Sequence, residues 1–270
     1  STYPLVNHHG HKEASSVGRT YLSHILGTSE AFVLPAMIYC YWKKGGDINF
    51  TDGSLLTTDL GSGAGLIVLL AFTFGFAKNG LMPFHSWLPN AMVAPTPVSA
   101  LLHAVAVVKV GVFCVIRVFT GVFGIKLLED LDIAVVVSWI AAFTVITSSL
   151  IALSQDNLKR RLAFSTIGQL SYIILGVSLL SGFGVTGSIL HVAMHAFGKI
   201  TLFFCAGAIY VAMHKKYVSE LVGIGRKMPI TMTAFAIGSL SVIGLPFTGG
   251  LVSKWYLVMG TAQSDQIALL

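Results

Sequence analysis

Four lysines stand inside apolar stretches where a charged side chain is least expected: Lys78, Lys109, Lys199 and Lys254. At the centre of a membrane-spanning helix each costs about 2.5–3.5 kcal/mol on insertion scales. A lysine near a helix end escapes this by reaching the headgroups, and Lys254 has that option. Lys109 and Lys199 do not, because they lie twelve and fourteen residues into their stretches. One acid, Glu30, stands about ten residues into the first stretch and is a possible partner acid. Four bases against one acid do not balance. Either carboxylates arrive from outside these stretches, or some lysines are neutral. Low-dielectric surroundings disfavour the charged form, so a buried lysine can take up and release a proton. That is the chemistry a proton path requires.

Histidines extend the pattern. His191, His195 and Lys199 are spaced i, i+4, i+8, which puts all three on one helix face, with Ser188 a turn before. Two histidines four apart can also bind a metal. No third Cys, Asp or Glu ligand is near in sequence, and no HExxH glutamate is present, so a proton relay is the better reading. Imidazole titrates near neutrality, as a relay needs. His103 and Lys109 share one stretch but are six residues apart, about 240° around a helix, and face different neighbours. Either can be a packing residue. His85 flanks a broken segment and can cap it, and Phe72, Phe74 and Phe76 read as packing. The chain shows no Walker loop, no GxGxxG and no haem or iron–sulfur cysteine pattern. Its three cysteines, Cys40, Cys114 and Cys205, sit singly in apolar runs. The expectation is therefore no metal site and no cofactor in this chain.

The elements that must position these groups follow from composition. Of 270 residues 54% are apolar and only 10% are charged, against about 25% charged in a soluble domain. Mean hydropathy is +0.80. A soluble enzyme is excluded, and the net charge of +6 is too thinly spread to make a nucleic-acid face. The fold class is an all-α polytopic membrane protein. Seven stretches are long enough to span: 21–42, 56–84, 97–120, 131–153, 162–180, 185–213 and 229–259. Nine basic residues (Lys12, Arg19, Lys159, Arg160, Arg161, Lys215, Lys216, Arg226 and Lys227) fall on the side holding the N-terminus, and four (Lys43, Lys44, Arg117 and Lys126) on the other. That distribution places the N-terminus inside.

Two of the stretches are interrupted, around Lys78–Pro83 and around Gly244–Gly250. Broken backbone at membrane depth is tolerated where protein or a water cavity satisfies it, and a pair of such breaks points to a transporter site between repeated halves. The organisation expected is a polar N-terminal segment over 1–20, the end of a first repeat with three spans over 21–120, and a second repeat with four spans over 131–270. With no initiator methionine and an apolar run starting at Ile267, the chain reads as part of a longer one.

The motifs carry a family resemblance. The run from Met82 to Met92 (MPFHSWLPNAM), then Ala94 to His103 (APTPVSALLH), resembles the antiporter-like subunits shared by respiratory complex I, membrane-bound hydrogenases and multisubunit sodium/proton antiporters. Gln155 to Gln169 (QDNLKRRLAFSTIGQ), His195 to Lys199 (HAFGK) and Ser253 to Leu257 (SKWYL) complete it. With residues 223–229 (GIGRKMP), the last is most similar to the D-type subunit of the cation/proton antiporters. The resemblance implies an inverted-repeat fold. Lys78 matches its first broken-helix lysine, Lys109 and His103 the connecting positions, His191, His195 and Lys199 the mid-membrane relay, and Lys254 the terminal lysine. It also implies a glutamate partner for Lys78 one helix earlier than Glu30, so that this partner is absent from the sequence.

The leading expectation is proton or sodium/proton translocation by a non-catalytic subunit of a redox-driven or antiporter complex. Its partners are other membrane subunits, further antiporter-like subunits among them, with a redox arm as an option. Its location is an inner, cytoplasmic or other energy-coupling membrane, and it binds no nucleic acid. The alternative is a non-conducting structural subunit that anchors its neighbours.

Overall fold

The computed structural model describes residues 12–46, 55–56, 60–264 and 266–269, without the side chains of residues 12–15, 103 and 267. Their regular structure is helical, with one antiparallel bridge between Asn157 and Tyr217. Helix α1 (Lys12–Thr28) runs through a π-helical turn, Ser29–Val33, into α2 (Leu34–Lys43). Then come α3 (Ser62–Gly75), α4 (Val107–Arg117), α5 (Ile125–Leu131) and α6 (Ala134–Ser154). The last four are α7 (Leu158–Ser178), α8 (Gly182–Met213), α9 (Pro229–Ile243) and α10 (Gly249–Gln263). The expectations that fall on residues 1–11, on most of the 43–59 loop and on Leu270 lie outside the described residues. Helix α1 begins inside the segment expected to be a polar N-terminal stretch, with no Pro over residues 12–20 and Gly18 accommodated within it.

Helix α6 shows what solvent the fold is built for. Its inward face is small and weakly polar: Ala134, Ser138, Ala141, Thr144, Ser148 and Ala152 are buried. Its outward face is large and apolar, with Trp139, Phe143, Ile146, Leu150 and Leu153 exposed. Small residues inward and apolar residues outward is the pattern of a helix that packs by close fit and faces lipid. Helix α7 packs between α6 and α8, and beyond its first turn, from Leu162 onward, it is buried or half-buried all round. Its start is fixed by Asn157, whose side chain accepts the Arg160 N–H at 3.2 Å. A second cap, Ser181 accepting from the Gly184 N–H at 3.0 Å, opens α8. Leu128, Phe123, Val137, Ile167, Leu170 and Ile173 belong to the apolar core at this junction.

Seven spans are expected from the sequence, but only two described helices, Ala134–Ser154 and Gly182–Met213, are long and apolar enough to cross a membrane unbroken. A third counts if Val107–Phe123 and Ile125–Leu131, bent by 78° at Gly124, form one span. Apolar composition sees hydropathy and not interruption. The stretch 56–84 stops at Gly75 and the stretch 229–259 divides at Gly244, leaving the shorter apolar helices Ser62–Gly75 and Pro229–Ile243. The stretch 97–120 passes through a π-helical turn, Leu101–Val105, before α4 starts.

Candidate functional site

The first break follows α3. Residues Ala77–Asn79 make a single 3-10 turn that ends at Gly80 with φ +75°. The freed backbone groups there are taken up by neutral side chains. Asn79 donates from Nδ2 to the Thr73 carbonyl at 2.6 Å and accepts at Oδ1 from the Leu81 N–H at 2.9 Å. Trp87, almost fully buried, donates from Nε1 to the Ala77 carbonyl at 2.9 Å. Helix α4 packs directly on this turn, and Gly111 makes that approach possible. A Cβ there would stand 2.5 Å from the Asn79 nitrogen. Lys78 is half-buried on the turn. Glu30 lies on the exposed side of the π-helical turn, not deep in the bundle, and no ion pair joins it to Lys78 among the described residues. The side chain of His103 lies outside the described residues; its backbone belongs to the Leu101–Val105 turn. His85 is half-buried, its ring 6.3 Å from that of Phe164.

The face of α8 that carries His191, His195 and Lys199 turns inward. His191 and His195 are 2% exposed and Lys199 is 0% exposed. Lys109 of α4, 7% exposed, hydrogen-bonds through Nζ to Nδ1 of His195. The two imidazoles lie nearly parallel, with ring centroids 6.0 Å apart. His191 then contacts α7 and α10 at once: Nε2 pairs with Gln169 Oε1 at 3.0 Å and Nδ1 with Ser253 Oγ at 2.9 Å. Lys199 leaves this line and donates to the Leu162 carbonyl of α7 at 3.1 Å.

The second break, between α9 and α10, is closed by Lys254. Its Nζ donates to the Val242 and Ile243 carbonyls, each at 3.0 Å, and lies 5.2 Å from the centroid of the Tyr172 ring. Gly244, at φ +88°, leaves room for the lysine stem, whose Cδ would be 3.0 Å from a Cβ at that position.

The surroundings of His191 suit both of its protonation states. With both nitrogens protonated, Nε2 donates to Gln169 and Nδ1 to Ser253, whose hydroxyl donates to the Gly250 carbonyl at 3.1 Å. With Nδ1 unprotonated, the Ser253 hydroxyl turns to donate to it. One hydroxyl rotation accommodates the change. Gln169, Tyr172 and Ser253 carry no charge and stand outside the lysines and histidines expected to act, although Gln169 and Ser253 belong to the motifs that carry the family resemblance. The available signal was Gln169 and Tyr172 at i and i+3 in a span whose other polar residues are only Ser and Thr.

Sequence comparison supplies the remaining observation. All of residues 1–270 match the family described as NADH:quinone oxidoreductase/Mrp antiporter, TM. The chain belongs to this family. It is 38% identical over 248 residues to NADH-quinone oxidoreductase subunit N of Desulforudis audaxviator, covering 89% of this chain and 48% of that protein. Among solved structures it resembles a chain of the archaeal membrane-bound sulfane sulfur reductase, with TM-score 0.85 and 27% identity over 99% of this chain and 55% of that one. A chain of the Mrp complex from Dietzia sp. DQ12-45-1b shares the fold, with TM-score 0.84 and 24% identity over 96% of this chain and 47% of its own length. The chain thus spans about half the length of these relatives.

Proposed function

We propose that the chain is an ion-translocating subunit of a multisubunit membrane complex, moving protons, alone or against sodium, along its buried lysines and histidines. The observation that carries this reading is the link from Lys109 through His195 and His191 to Ser253, beside Lys254. It joins α4, α8 and α10 across the interior with groups that all exchange protons or hydrogen bonds. Between the two imidazoles a single bridging water or a ring rotation suffices. Lys78 delivers protons to Lys109 across the α4 contact, and Lys254 releases them at the second break. Lys199, one turn from His195 and bonded to Leu162, serves as a charge that raises or lowers the occupancy of the line.

In this reading residues 21–120 end one repeat and 131–270 form the next, the N-terminal side faces inward, and the chain needs no cofactor of its own. Its partners are further membrane subunits, with the driving force supplied by a redox arm or an opposing ion gradient. The test is transport by the full-length complex in sealed vesicles. Lys109→Ala and His195→Ala should each lower proton uptake at least tenfold with assembly intact. Unchanged uptake in both would overturn the reading in favour of a non-conducting structural subunit.

A further inference from the structure

One aromatic residue touches both ends of the last step in this line. The Tyr172 ring meets His191 edge-on, with centroids 6.3 Å apart and planes at 66°. The same ring lies under the Lys254 ammonium at 5.2 Å. Gln169, the partner of His191, sits one turn earlier on α7. A residue fixed in the buried helix α7 therefore stands between the imidazole and the amine.

The partners of Lys254 do not respond alike to its charge. An ammonium has three donors and a neutral amine has two donors and a lone pair. Two N–H groups are enough to hold the Val242 and Ile243 carbonyls in either state. The ring face differs, because its negative quadrupole attracts a cation and opposes a lone pair. Tyr172 is thus the partner that favours one charge state strongly over the other.

We propose that Tyr172 is a positioning residue for proton release. Its ring face holds Lys254 as the ammonium until a charge rearrangement at His191 frees it. The inference rests on the translocation reading above. It assigns the hydroxyl no part, so Tyr172→Phe should transport at close to the wild-type rate.

The test replaces Phe at position 172 with mono-, di- and trifluorophenylalanine in the full-length complex reconstituted in vesicles. These side chains keep the shape and progressively remove the quadrupole. Transport should decline stepwise, reaching about three- to tenfold slower with three fluorines, and Tyr172→Trp should restore it. A flat series, or Tyr172→Leu transporting as well as Tyr172→Phe, overturns the proposal. Lys109→Ala and His195→Ala, whose assembly is expected to stay intact, are measured alongside. If they lower transport while the fluorine series is flat, Tyr172 loses its role and the translocation reading stands. If both transport normally, the reading itself falls.

Discussion

The two helix breaks meet the same physical demand in different ways. At the first, the exposed backbone groups are satisfied by neutral side chains, Asn79 and Trp87, and Lys78 takes no part in the capping. At the second, the last carbonyls of α9 are held by Lys254 itself. One lysine is therefore separable from the structure around it, and the other is part of that structure. A charge at the first break can change without loosening the turn. At the second, either charge state of the amine can hold the helix end, but loss of the amine uncaps it.

The comparison is broken most directly by removing the two lysines. Lys254→Ala leaves two carbonyls without donors and should lower the stability of the α9–α10 junction by about 3 kcal/mol, losing transport and assembly together. Lys78→Ala should lose transport with no measurable change in thermal stability of the solubilised complex. Equal destabilisation by both would show that the breaks are built alike.

The reverse experiment targets the neutral caps. Asn79→Ala removes two hydrogen bonds, and Trp87→Phe removes one while keeping most of the ring. Losses of about 2–3 and about 1 kcal/mol should follow, with faster amide exchange confined to the residues around 73–81. The close approaches can be compared in the same way. A Cβ at Gly111 meets the backbone of Lys78 and Asn79, and one at Gly250 meets the Ser241 carbonyl. Each Gly→Ala change should destabilise by about 1–3 kcal/mol. Gly111→Ala should shift Lys78 relative to Lys109, and so slow transport more than its stability loss explains.

The smallest effect lies away from both breaks, at the surface clasp joining the α6–α7 and α8–α9 loops. The Asp156 carboxylate accepts from the Ser219 N–H at 3.0 Å and from its hydroxyl at 2.8 Å. These two bonds, the backbone one foremost, hold its carboxyl below the usual range. A depressed folded-state value gives stability that is present above the ordinary carboxylate range and is lost as pH falls through the lower value. Asp156→Asn should therefore melt slightly earlier than wild type at neutral pH, and the gap should close in acid. A gap that widens in acid would contradict the hydrogen-bond assignment.

Much of this was legible in the chain because it depends on local geometry. The spacing of His191, His195 and Lys199 places them on one face of any helix, and the structure turns that face inward. The glycines and prolines near Lys78 and Lys254 marked the breaks. What was not legible depends on register and on crossings. Glu30 was expected to be a possible partner acid about ten residues into its stretch, but it stands on the exposed side of the π-helical turn at Ser29–Val33. The pairing of Lys109 with His195 joins two helices distant in sequence, which no spacing within either helix reveals. Gln169 and Tyr172 matter through what they touch, so their own side-chain chemistry gave little sign of it.

The enclosure of α7 also has a consequence for how the sequence can vary. A helix with one lipid-facing stripe, like α6, offers every third or fourth position to any apolar residue, so substitutions there should spread freely. Helix α7 offers no such stripe. From Leu162 to Ser178 nearly every position is buried against a neighbour, so a saturation scan should find a nearly continuous intolerant band there, the part of this chain least able to drift.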